Sequence, residues 1–170
     1  MSKGLPDIID PVDFAEKGRV VAGAIPLYAM ERLRDQVVAT SGEVRFRLEF
    51  AKEGVVVGAR GRVEAEVVLQ CQCCLGDLPY AIDRDVVLGF VGSIEQADRL
   101  PEPFEPVILD EPRVLRVAEI VEDEILLSIP QVPRHEVCET VEQEGVAGGK
   151  AERRPFADLA GLFPSNTKQN

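Results

Sequence analysis

Residues 43–50 read EVRFRLEF and residues 55–71 read VVVGARGRVEAEVVLQC, and their alternation sets the architecture. In the first run Val44, Phe46, Leu48 and Phe50 share one face while Arg45, Arg47 and Glu49 share the other. A period of two with one apolar side is that of a half-buried antiparallel strand. In the second run Gly61, Val63, Ala65, Val67 and Leu69 oppose Arg60, Arg62, Glu64 and Glu66, and Cys71 continues the inward register. Lys52, Glu53 and Gly54 separate the two as a short turn, which predicts a hairpin. A third strand follows in YAIDRDVVLGFVG, where Ile82, Val86, Leu88 and Phe90 lie opposite Asp83 and Asp85, and QCCLGDLP is the turn before it.

Outside the strands the period changes. The segment IPLYAMERLRDQVVA, residues 25–39, carries Pro26 near its start and Leu27, Met30, Leu33 and Val37 at helical spacing, which predicts an amphipathic helix. LRVAEIVEDEILLSIP, residues 115–130, predicts a second, with Leu115, Ala118, Val121, Ile125 and Ile129 on one face and Glu119, Glu122, Asp123 and Glu124 mostly on another. LPDIIDPVDFAEKG reads as an extended arm or edge strand, and the Pro- and Glu-rich ADRLPEPFEPVILDEP as a loop. From Glu139 the chain turns polar and glycine-rich, with one apolar interruption, PFADLAGLF. The expectation is one α+β domain over residues 1–138, an antiparallel sheet with two packed helices, followed by a disordered tail over 139–170.

Composition agrees with a globular chain whose core is aliphatic: 45% of residues are hydrophobic, 29% are charged, and there is no Trp. Runs such as GVVVGA and EILLSI fall far short of the roughly 18 residues that span a bilayer, and the N-terminus lacks a signal-like apolar stretch. A cytoplasmic location is expected. Charge is uneven along the chain. Residues 1–92 hold 11 Lys+Arg against 14 Asp+Glu, residues 93–149 hold 4 against 14, and residues 150–170 hold 4 against 2. A segment at net −10 repels phosphate, so it is either a solvated acidic face or a contact for a basic protein.

Three of the 4 cysteines fall in QCQCC, and the fourth, Cys138, lies three residues after the single histidine, His135. A CxxC at a strand turn brings two thiolates to one tetrahedral ion, and HxxC supplies two more donors. Cys71, Cys74, His135 and Cys138 are therefore candidate ligands of one structural zinc, with no position left open for catalysis. Unmetallated buried thiols are the alternative. A redox site fits less well, because its cysteines belong at a helix N-terminus and these are flanked by strands. In Cys74-Leu75-Gly76 the glycine stands one residue later than in common zinc knuckles. Without Cys138 beside it, His135 in its Pro-rich loop reads as a surface residue. Glu122, Asp123 and Glu124 cannot all face one magnesium ion from successive helix positions.

The order of Asp10-Pro11, LQCQCC, VEDEILLSIPQVP, the His/Cys loop and PFADLAGL resembles the YceD family of large ribosomal RNA subunit accumulation proteins, over nearly the whole chain. Members usually show an arginine between the two cysteines, so Cys73 departs from their pattern. The resemblance implies a role in accumulation or processing of large-subunit (23S) ribosomal RNA, with no enzymatic activity defining the family. It also implies a large-subunit RNA precursor, or a basic ribosomal protein or assembly factor, as partner, and neither a membrane nor a small-molecule substrate. Together with the charge profile it makes Glu119, Glu122, Asp123 and Glu124 candidates for contacting a basic partner. Arg45, Arg47, Arg60 and Arg62, on the polar faces of adjacent strands, are candidates for RNA or simple cross-strand ion pairs. The competing readings are an enzyme acting on precursor ribosomal RNA and a zinc-dependent adaptor unrelated to ribosomes.

Overall fold

The computed structural model describes residues 6–110 and 113–138. The elements run β1 (Ile8–Ile9), α1 (Pro11–Glu16), β2 (Val20–Pro26), two 3₁₀ turns (Leu27–Ala29 and Leu33–Gln36), β3 (Glu43–Glu53), β4 (Val56–Gln70), β5 (Asp77–Val91), α2 (Ile94–Ala97), β6 (Glu105–Ile108), β7 (Leu115–Arg116) and α3 (Val117–Ser128). The fold class is α+β. A five-stranded sheet in the order β2-β3-β4-β5-β6 is antiparallel except for the β5–β6 pair, which is parallel. The tail expected over 139–170, with PFADLAGLF, lies outside the described residues.

The long hairpins have the registers that the alternation demands. Val44 pairs with Ala65, Phe46 with Val63, and Ala65 with Ile82, so the alternating apolar positions of the three strands reach one inner face. Gly61 sits on that face opposite Leu48, where an added Cβ would lie 1.9 Å from the Arg47 carbonyl oxygen. Only glycine allows the two strands to approach so closely there.

α1 and α3 cover the inner face. Phe14 of α1 meets Phe50 edge-on at 5.7 Å, and Phe50 stacks on Phe90 at 5.8 Å. α3 buries Val117, Ile120, Val121 and Ile125, and it packs against β4 and β5.

Four elements differ from the sequence expectation. The arm at 5–18 contains a helix, α1, because Asp10 accepts hydrogen bonds from the amides of Val12 and Asp13 while Pro11 starts the helix with its φ already set. β1, just before it, joins β7 in a separate two-stranded ribbon instead of extending the main sheet. Residues 25–39 form no α-helix; they continue β2 and then make two 3₁₀ turns, interrupted where Met30 is extended at ψ 102°. Leu27, Met30 and Leu33 are nonetheless buried, as expected. The crossing after β5 contributes α2 and β6, and its Phe104 and Leu100 lie over Gly58 and Gly89, where a Cβ would come within 2.9 Å of them.

Candidate metal centre

β4 ends by carrying Cys71 into the interior, where it is fully buried. The β4–β5 turn is closed by two backbone bonds, from Leu75 N to the Cys71 carbonyl and from Cys71 N to the Gly76 carbonyl, both 2.9 Å. Leu75 takes the left-handed conformation at φ 61°, the place a glycine takes in the commoner turn. This is the structural consequence of the glycine standing one residue late.

The loop after α3 is held against this turn from outside the cysteines. Gln72 N donates to the Pro133 carbonyl at 2.8 Å, and His135 Nε2 donates to the Asp77 carbonyl at 3.0 Å. Because a carbonyl only accepts, that bond leaves Nδ1 as the imidazole's lone-pair nitrogen. Nδ1 then stands 3.5 Å from Cys74 Sγ, while Cys71 Sγ stands 3.7 Å from Cys138 Sγ. The ligand atoms of Cys71, Cys74, His135 and Cys138 all lie within 4.8 Å of one another. Two sequence pairs about sixty residues apart thus converge on one closed donor set that could hold a metal ion.

The local field already favours a thiolate. The Cys74 amide foremost, against the opposing effect of desolvation, draws the Cys71 thiol from its ordinary 9.0 down to about 5, helped by the His135 and Cys73 amides and the Cys138 thiol. Cys138 moves the other way: its hydrogen bond to Cys73 first, then burial, then its bonds to Cys71 and Cys74, keep its proton on. Cys73 lies beside the set but is not one of the four converging donors.

The other candidate residues are distributed differently from the expectation. Glu122 and Glu124 are buried rather than displayed on an acidic face, with 6% and 4% of their surface exposed. Glu122 accepts from the backbone amides of Arg32 at 2.7 Å and Leu33 at 3.0 Å, thereby capping the second 3₁₀ turn, and from Arg32 Nε at 3.1 Å. Glu124 accepts from Arg84 Nε at 2.8 Å, and Arg84 also reaches Glu105. Burial raises the Glu124 carboxyl above its usual value despite that arginine. Glu119 and Asp123 remain exposed, near Arg116 and paired with Arg32 respectively.

Arg45, Arg47, Arg60 and Arg62 all lie exposed on the outer face of the sheet, and the last three line a shallow concavity of about 440 Å³. Arg60 is held by Glu53 at 2.7 Å and stacks on Phe104 at 4.9 Å. Arg62 pairs with Asp83 and lies 3.5 Å from Glu64. Arg45 and Arg47 make no ion pair among the described residues. Arg32 and Arg84, which hold the two buried carboxylates, were not among the expected site residues.

The fold and the donor set define a small α+β protein whose sheet turn and post-helix loop are joined at a Cys₃His centre. The chain belongs to the YceD family: the family model described as "Large ribosomal RNA subunit accumulation protein YceD" matches residues 59–163, a span that includes all four donors. It is 32% identical over 166 residues to the Haemophilus influenzae protein named Large ribosomal RNA subunit accumulation protein YceD, covering 93% of this chain and 95% of that one. No solved structure shows a significant match.

Proposed function

We propose that this protein is a non-enzymatic factor supporting accumulation or processing of large-subunit (23S) ribosomal RNA in the cytoplasm, with one structural zinc ion held by Cys71, Cys74, His135 and Cys138. The near full-length similarity to a protein named for that process carries the functional part. Zinc is supported by the donor spacing. Bonds of about 2.3 Å to sulfur and about 2.0–2.1 Å to nitrogen set tetrahedral edges near 3.8 Å for S–S and near 3.5 Å for S–N. The pairs at 3.7 Å and 3.5 Å match those edges. When bound, the ion supplies a crosslink between the β4–β5 turn and the loop after α3. Four protein donors complete a tetrahedral shell, which favours a structural role over a catalytic one.

The acidity of residues 93–149 favours a basic ribosomal protein or assembly factor as the contact, with Glu119 and Asp123 as the accessible members of the helix. A direct RNA contact has one observation in its favour, the guanidinium groups of Arg45 and Arg47, which make no ion pair among the described residues.

The test is removal of the gene followed by measurement of the ratio of large- to small-subunit ribosomal RNA. The ratio is expected to fall, to recover with the wild-type gene, and to recover poorly with Cys71→Ser. An unchanged ratio refutes the assignment. Incubation of purified protein with precursor RNA and magnesium addresses the enzymatic alternative, and cleavage there overturns the non-enzymatic reading.

A further inference from the structure

β2 stands at one end of the five-stranded sheet. Leu27 N donates to the Gly42 carbonyl and Phe50 N to the Arg19 carbonyl, which fixes the phase of the β2–β3 ladder. Val21, Gly23 and Ile25 therefore direct their N–H and C=O toward β3, and Val20, Ala22, Ala24 and Pro26 direct theirs away from the sheet. No group among the described residues hydrogen-bonds the outward amides of Val20, Ala22 or Ala24. Val20 and Ala22 are exposed.

Exposed edges are ordinarily blunted by a charge, a bulge, an internal proline or a covering element. The strand VVAGAIP has no charged residue and pairs with β3 without a bulge. Its one proline is the terminal Pro26, which withholds a single outward donor.

We propose that β2 pairs antiparallel with β2 of a second copy of this chain, about a two-fold axis at Gly23, joining the two sheets edge to edge. That centre sets Ala22 opposite Ala24 of the second copy, Val20 opposite Pro26, and Val21 opposite Ile25. Outward-facing residues meet outward-facing residues, so the free N–H and C=O groups of both edges fall into one ladder. The centre is a glycine flanked by alanines, and no charge faces a like charge. The result is a continuous ten-stranded sheet made from two sheets of five.

The net charge of −11 does not oppose this contact. Beside β2, the outward side chains of β3 are Glu43, Arg45, Arg47 and Glu49, which balance. Much of the acidity, including Glu95, Asp98, Glu102 and Glu105, lies in the segment from α2 to β6 at the opposite edge of the sheet. Four strand spacings of about 4.8 Å separate the two edges by roughly 19 Å, about twice the distance over which salt screens. The balanced border also gives a strongly cationic strand from another protein no advantage there. This pairing is independent of the proposed role in RNA accumulation.

Sedimentation equilibrium of the full chain over a concentration series tests it, with two double variants, Ala22→Lys/Ala24→Lys and Ala22→Glu/Ala24→Glu. Each double variant alone sets like charges opposite one another and is expected to raise the dimer dissociation constant at least about tenfold; an equimolar mixture pairs opposite charges and restores dimerisation. Ala24→Pro, which removes one outward donor without touching the β3 ladder, is expected to weaken the dimer as well, and thermal melts verify that each variant folds. A wild type that stays monomeric up to about 1 mM overturns the proposal. So does self-association that all three variants retain, or a mixture that shows no recovery. Capture of a Lys- and Arg-rich extended peptide by a monomeric wild type overturns it in favour of a different occupant.

Discussion

His135 donates from Nε2 to the Asp77 carbonyl at 3.0 Å, and this one bond turns its Nδ1 lone pair toward the three thiols. A ligand imidazole held through its other nitrogen is the usual support of a metal centre. Protein purified without a metal-affinity column should therefore contain one zinc per chain by elemental analysis. His135→Ala and Cys71→Ser should lose it and melt at lower temperature. Cys73→Ser should retain both metal and fold, because Cys73 is not among the converging donors. Zinc well below one equivalent in the wild type, or equal loss in Cys73→Ser and Cys71→Ser, refutes the assignment.

Leu75 occupies the left-handed region at φ 61° with 65% of its surface exposed, so its side chain gains little from burial. A non-glycine residue costs about 1–2 kcal/mol in that conformation, and glycine loses roughly 0.4–1 kcal/mol through the entropy of the unfolded chain. Leu75→Gly should stabilise the protein by up to about 1.6 kcal/mol in urea denaturation. A destabilised variant would mean that the leucine makes contacts outweighing its backbone cost.

Glu124 is buried against Arg84, and desolvation, the largest influence, holds its carboxyl above the ordinary value of 4.5. The folded state then binds the Glu124 proton more tightly than the unfolded state does. Its contribution to stability is fully present below the unfolded value and is lost as pH rises through the raised folded value. Glu124→Gln removes this dependence while keeping an acceptor for Arg84. The stability difference, wild type minus variant, should increase as pH is lowered from 7 toward 4.5, read from urea midpoints at each pH. A difference that stays flat or shrinks contradicts the raised carboxyl.

Where the sequence was legible, a strict physical period lay behind it. The alternation in β3, β4 and β5 gave the inner face because each strand has one wet side, and the CxxC and HxxC spacings marked their donors. Arg84 was the missed signal: it stands at an inward position between Ile82 and Val86, and a charge in that register requires a buried partner. Of the stripe expected for α3, Leu115, Val121 and Ile125 are buried, but the buried face is wider than that stripe. Its further buried positions are Val117, Ile120, Glu122 and Glu124, and the two carboxylates look like surface residues until Arg32 and Arg84 are placed beside them. The segment 25–39 failed for a related reason. Periods of 3.0 and 3.6 differ little over Leu27, Met30 and Leu33, and the cap that fixes the second 3₁₀ turn comes from Glu122, 89 residues away from Leu33.

The same burial separates structure from recognition on the acidic helix. Glu122→Ala leaves the amides of Arg32 and the buried Leu33 without their acceptor, so it should destabilise the domain by about 1–3 kcal/mol in urea denaturation. Loss of binding in that variant would report unfolding. Glu119 and Asp123 are exposed, and their surface ion pairs are each worth no more than about 1 kcal/mol. Glu119→Gln/Asp123→Asn should therefore keep the melting temperature while weakening association with large-subunit precursors. The wild-type association should itself weaken as salt rises, since attraction between an acidic segment and a basic partner is screened over about 8–10 Å. Co-sedimentation with precursor particles across a salt series measures both effects. The rival variant is Arg45→Gln/Arg47→Gln, which removes the two outer-face guanidinium groups that make no ion pair among the described residues. If that variant abolishes association while Glu119→Gln/Asp123→Asn binds like wild type, the sheet face grips RNA directly and the acidic helix is not the contact.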